Sequence, residues 1–140
     1  MMNKYVVHEQ SERDIHWVYI VECKDGSFYI GMTANIVNRL TTHIIGKGSL
    51  HIKNRKWSKL LHCWKLYEDR ADAGKVERYL KRMTRALKMK IVSDPGSLQT
   101  RIRTNLEWPI EIEPVDPNEI EHLMMITNPE ITDLLKTPTS

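Results

Sequence analysis

Two short runs of β-branched and aromatic residues flank a four-residue turn near the start of this 140-residue chain, and they constrain its fold more than anything else in it. His16 to Cys23 reads His-Trp-Val-Tyr-Ile-Val-Glu-Cys. Branched and aromatic side chains pack well on a pleated surface, so this is the composition of a strand. Lys24-Asp25-Gly26-Ser27 follows, and its Asp-Gly pair suits a tight hairpin turn. Phe28-Tyr29-Ile30-Gly31 reads as the returning strand. The chain therefore begins its ordered part with an antiparallel hairpin. Whether Tyr19 and Tyr29 meet across it depends on register, which the sequence leaves open.

Downstream, Asn35 is a good N-cap for a helix running to about Ile45, where Gly46 stops it. Ile36, Leu40 and Ile44 form its apolar ridge, and Arg39 and His43 share one flank of it. Gly46 to Lys56 reads as a Gly-rich basic loop, and Ser58 to Tyr67 as a third strand. A second helix is expected from about Arg70 to Met83, with Ala73, Val76, Leu80 and Met83 buried. Gly74 inside it costs about 1 kcal/mol relative to Ala. Thr84 can cap a short third helix through Leu87 and Ile91, ended by Pro95-Gly96. Beyond it, Ile110-Glu111-Ile112-Glu113 alternates like an edge strand, and Asp116-Pro117 and Asn128-Pro129 each start a short helix. The organisation expected is a flexible lead-in over 1–15, a core over 16–96 and an acidic extension of short helices over 97–140.

Charge separates those parts. Residues 35–92 hold fifteen Lys and Arg against four Asp and Glu, a net of +11, whereas residues 93–140 hold three against nine, a net of −6. A dense basic block of this kind is the footprint of a protein that meets polyphosphate. No apolar run approaches the ~18 residues of a membrane span, so no membrane partner is expected. Glu9, Glu12 and Asp14 stand where a secretory signal has its apolar core, which makes cytoplasmic residence the expectation. Cys23 and Cys63 can supply neither a disulfide framework nor a four-ligand zinc site.

Tyr19, Tyr29, Arg39 and Glu77 are the residues in the core suited to phosphodiester hydrolysis, which needs a base for water, a cation near phosphate and often a carboxylate-held metal. Each alone has an ordinary reading: a packed strand tyrosine, a surface cation, or half of an i,i+4 pair with Lys81. Together, Val18-Tyr19-Ile20 and Tyr29-Ile30-Gly31 resemble the two name-giving motifs of the GIY-YIG nuclease family. The resemblance continues through Asn35-Ile36, Arg39-Leu40, His43, Gly46-Lys47-Gly48-Ser49, Glu68-Asp69 and Glu77-Arg78-Tyr79-Leu80-Lys81. It covers roughly residues 16–92 and is nearest to the short single-domain bacterial members and the catalytic domain of the Slx-type structure-specific endonucleases. Trp17 departs from it, standing where the first motif has glycine, and the acidic extension has no counterpart in the shortest members.

The resemblance implies an α+β fold, with a small three-stranded antiparallel sheet in the order β1-β2-β3 flanked by helices. It implies a metal-dependent endonuclease acting on double-stranded or branched DNA, in repair or recombination. Tyr19 would be the base or water-orienting phenol, Tyr29 the second site tyrosine and Arg39 the stabiliser of charge on phosphorus. His43 would assist proton transfer or contact phosphate, and Glu77 would ligate Mg²⁺ or Mn²⁺. Arg39 and the metal would lower the Tyr19 pKa from its usual ~10. Asn35, Lys47, Lys53, Arg55, Lys56 and Lys81 are the expected nucleic-acid contacts. Two other readings stay open: a catalytically silent nucleic-acid-binding module of the same fold, and a protein-interaction domain. The extension either lies over the DNA surface as a phosphate mimic, covers the sheet face opposite the site, or serves a homo-oligomer or protein partner.

Overall fold

The computed structural model describes residues 15–136; residues 1–14 of the expected lead-in lie outside the described residues. The hairpin forms as its composition requires. Strand β1 (His16–Cys23) turns through Gly26, at a left-handed φ of 86°, into β2 (Phe28–Thr33). The Asp25 carboxylate accepts from the backbone N–H of Ser27 at 2.9 Å and fixes that turn. Tyr19 stands opposite Gly31 and Val21 opposite Tyr29.

Helix α1 (Ile36–Ile44) starts on Asn35, whose side chain accepts from the Asn38 N–H, and ends ahead of Gly46 at φ 81°. A six-residue helix, α2 (Leu50–Arg55), follows, capped by the Ser49 side chain. It occupies part of the stretch expected to be a loop, because six residues are too few to display a helical period. Strand β3 (Trp57–Leu66) returns antiparallel along β1. Then come α3 (Arg70–Lys81), capped by Asp69, and α4 (Arg85–Ser93), capped by Thr84. Helix α5 (Ser97–Asn105) has no side-chain cap at Gly96 to announce it. Strand β4 (Ile112–Val115) starts two residues later than the alternation suggests. Helix α6 (Pro117–Thr127), a 3₁₀ turn (Pro129–Ile131) and α7 (Thr132–Lys136) complete the described chain.

The fold is α+β as expected, but the sheet has four strands in the order β2-β1-β3-β4. Two corrections follow. The fourth strand is contributed by the acidic extension. And β1, not β2, lies between the other two strands of the hairpin domain. The burial pattern explains the second point: Val18 to Val21 are fully buried, as a central strand requires, whereas β2 carries Gly31 and the partly exposed Met32 and Thr33 of an edge. Pro114, which lacks an N–H, is tolerated because β4 is the opposite edge.

Alternation along β1 builds two cores. Val18 and Ile20 face Val76 and Leu80 of α3, Ile91 of α4 and Leu98 and Ile102 of α5. Tyr19, Val21 and Cys23 face Ile36 and Leu40 of α1, Ile52 of α2, and Ile120, Met124 and Ile131 of the extension. The extension thus covers both faces, α5 packing opposite Tyr19 and α6 with the 3₁₀ turn packing on the face that carries Tyr19, beside α1. No described helix is long and apolar enough to cross a membrane.

Candidate active site

The site assembles around the edge strand. Tyr19 projects from the central strand on the same face as Tyr29, its diagonal neighbour, with ring centroids 6.3 Å apart. Residue 31 has to be glycine for this to happen. A Cβ there would overlap the Tyr19 hydroxyl and approach the Tyr29 ring. The bare backbone lets the phenol lie across β2.

His43, on α1 and almost wholly buried, places Nε2 at 2.8 Å from the Tyr19 hydroxyl oxygen. Its other ring nitrogen, Nδ1, accepts from the backbone N–H of Ser49 at 3.2 Å. That contact determines the tautomer. A backbone N–H can only donate, so Nδ1 is bare, and a neutral ring then carries its proton on Nε2 and donates it to Tyr19. Gly48 is required for the same reason as Gly31, since a Cβ there would collide with Nδ1. Burial, with the Arg39 charge beside it, pushes the His43 pKa from 6.5 down to about 4, so the ring is neutral near pH 7.

Burial also dominates Tyr19, whose pKa is raised well above the ordinary phenol value, with neighbouring Tyr29 adding to the rise. Arg39 acts in the opposite direction, its guanidinium charge favouring the phenolate, but does not outweigh burial. The lowering expected for Tyr19 is therefore reversed by the protein's own surroundings. Taking a phenol out of water penalises its ionised form more than one guanidinium restores.

Glu77 reaches this group from α3, which packs on the other sheet face and against β1 and β2. Its charge is felt at Tyr19 and its carboxylate lies 3.5 Å from the Lys81 ammonium, which is half exposed. Among the described residues no group of three or more His, Cys, Asp and Glu could hold a metal. What remains is a single carboxylate. That donor set suits a small hard cation that keeps most of its water and shares it with phosphate oxygens.

Tyr19, Tyr29 and His43 thus come together with the Arg39 charge beside them, while Glu77 acts on Tyr19 through its charge from α3. The basic residues divide. Lys53 and Lys56 line a cleft of about 270 Å³ with His43, Gly46 and Trp57, next to the tyrosines. Lys47 is exposed in the loop before α2. Arg55 instead turns to Asp25 of the hairpin at 3.3 Å, Lys81 is paired with Glu77, and the Asn35 side-chain oxygen is used in capping α1. His51 is a neighbour that sequence reasoning passed over. Its ring lies 5.6 Å from Tyr29 and within hydrogen-bond reach of the Ser27 hydroxyl at 3.1 Å. Only its place inside a short unsuspected helix brings it there.

The sequence is similar to those of known proteins. The model of the GIY-YIG catalytic domain matches residues 15–91. The UPF0213 protein of Staphylococcus haemolyticus is 35% identical over 79 residues, covering 56% of this chain and 95% of that protein. That of Halalkalibacterium halodurans is 36% identical over 81 residues, covering 58% and 85%. The solution NMR structure of the UPF0213 protein from Bacillus halodurans is 33% identical, covers 64% of this chain and 98% of that one, and has a TM-score of 0.38.

Proposed function

The chain belongs to the GIY-YIG family, and from that premise we propose that it is a metal-dependent endonuclease that hydrolyses DNA phosphodiester bonds. The observation that carries the reading is the line of contacts from the Ser49 N–H through the His43 ring to the Tyr19 hydroxyl, with the Arg39 charge beside it. A packing tyrosine needs one partner. This one has a donor of set direction and a cation close by.

The roles follow from that arrangement. Because His43 donates to the Tyr19 oxygen, the hydroxyl's own hydrogen points away from the imidazole. With that proton released to solvent water, the Tyr19 phenolate takes a proton from the attacking water, while the His43 N–H and Arg39 stabilise the phenolate. His43 is thereby a fixed donor to Tyr19, not the acceptor of its proton. Arg39, with its planar fork, also suits the charge that develops on the phosphate oxygens. Glu77 would hold Mg²⁺ or Mn²⁺, displacing the loosely held Lys81, and the cation would polarise the phosphate and favour the phenolate. Lys47, Lys53 and Lys56 offer the nearest positive surface for the DNA backbone, with Asn35, Arg55 and Lys81 as further contacts once freed from their partners.

Purified protein incubated with Mg²⁺ and linear, flap, branched and single-stranded DNA tests this reading. Cleavage of at least one substrate, lost in Arg39→Lys, is the expected result. Binding without cleavage by the wild type would point to the silent binding module instead.

A further inference from the structure

Two glycines in this protein have another side chain in the space their Cβ would fill, and a third has one close against it. At Gly31 it is Tyr19, at Gly48 it is His43, and at Gly74 it is Arg78, whose Nη1 would lie 3.2 Å from the added carbon. Gly26, Gly46 and Gly96 have nothing within 4 Å of that position. Two of the three crowded glycines make room for the candidate catalytic side chains. The third sits in the interior of α3, where glycine weakens a helix by about 1 kcal/mol relative to Ala and where no turn calls for it.

Around Gly74 the surface opens into a cleft of about 670 Å³, lined by Met32, Arg70, Gly74, Lys75, Glu77 and Arg78. Arg70, Gly74 and Arg78 are four residues apart and so form one row along the helix, with the Arg78 guanidinium folded back toward Gly74. Eight residues of helix separate the two arginine backbones by about 12 Å, and both arginines line the cleft. Lys75 is held at the rim with its ammonium 5.3 Å from the centre of the Trp108 ring. No described carboxylate lies within ion-pair distance of Arg70, Lys75 or Arg78. The nearby acids are engaged elsewhere: Asp69 caps α3, and Glu68 and Asp72 act on one another. Glu77 is the one acid in the cleft, and its charge is felt at Tyr19.

We propose that this cleft is a second phosphate-binding site, built by Arg70, Arg78 and Lys75 around the notch at Gly74, which holds the nucleic-acid backbone beside the bond to be cut. It rests on the nuclease reading, and it extends the binding surface from α2, on the Tyr19 face, to α3 on the other side of the edge strand. Three cations without acidic partners converge on a concave surface next to the candidate metal ligand. An anion rich in acceptor oxygens satisfies them, and a neutral ligand does not.

The test uses the full chain and a short fluorescein-labelled DNA duplex, with dissociation constants measured by anisotropy without divalent metal over a series of salt concentrations. For Arg70→Gln/Arg78→Gln the slope of log K against log salt is expected to shrink by about 0.9 per lost phosphate contact, roughly 1.8 in all. Lys75→Gln alone should shrink it by about 0.9. A double variant with the wild-type slope overturns the proposal. So does Lys75→Gln with the wild-type slope. Failure of the nuclease reading looks different, because the wild type would then leave DNA uncut in the presence of Mg²⁺, whatever the salt slopes of the variants.

Discussion

The Tyr19 hydroxyl lies 2.8 Å from His43 Nε2, and the backbone N–H of Ser49 on the opposite ring nitrogen makes the histidine the donor. Removing that hydroxyl in Tyr19→Phe should abolish single-turnover cleavage while the protein stays folded. The cost in stability is expected to be about 1–3 kcal/mol, since a buried N–H loses its acceptor. Cleavage assays read beside thermal melts check both halves. A ¹⁵N NMR spectrum of the His43 ring should independently show the proton on Nε2.

The same ring sets a pH dependence. Its folded pKa is about 4 against an ordinary 6.5, so between those values the unfolded chain binds more protons than the folded one. Stability from this group is complete above about pH 6.5 and falls as the pH drops toward 4, by on the order of 2–3 kcal/mol. A proton on Nδ1 would also face the Ser49 N–H donor to donor. Melting temperatures of the wild type and His43→Gln, compared from pH 7 to pH 4, should show the steeper fall in the wild type.

Gly31→Ala and Gly48→Ala should damage function more than fold. Each adds one carbon where a candidate catalytic side chain already sits. Overpacking of this size costs about 1–3 kcal/mol, which a folded domain can survive, whereas a displaced Tyr19 or His43 breaks the line of contacts. The readout is turnover per correctly folded molecule, with circular dichroism to count the folded fraction.

Much of this architecture is legible in the sequence because local signals agree with tertiary ones. Asp25-Gly26 makes the turn it announces, Asn35, Asp69 and Thr84 cap the helices they precede, and the run from His16 to Cys23 forms the strand its composition announces. Helix α2 and helix α5 are not legible, one being too short for a period and the other lacking a side-chain cap. The pairing of β4 with β3 joins residues some fifty positions apart, Cys63 with Val115 and Leu66 with Ile112, and no local pattern encodes that. In the site, residue types point to Tyr19, Arg39 and Glu77, but the direction of the His43 hydrogen bond comes from a backbone N–H, which sequence patterns do not display. The rise in the Tyr19 pKa likewise depends on how deeply β1 is buried.

The acidic extension fills part of the core on the Tyr19 face through Ile120, Met124 and Ile131. Met124→Ala should therefore destabilise the protein by about 2–5 kcal/mol, the cost of emptying a buried side-chain volume. Chemical denaturation gives that number. Truncation after Ser97 should yield insoluble protein, because it removes Ile102, Ile110 and Ile112 from one core and these three residues from the other.

The most direct measurement for the nuclease reading is DNA cleavage by the wild type and Glu77→Gln as Mg²⁺ is titrated from zero. The substitution keeps the shape of the side chain and removes the charge that would hold the cation. Metal-dependent cleavage by the wild type, lost in Glu77→Gln with no loss of melting temperature, is the result predicted. Equal, metal-independent cleavage by both proteins, or none by either, would contradict it.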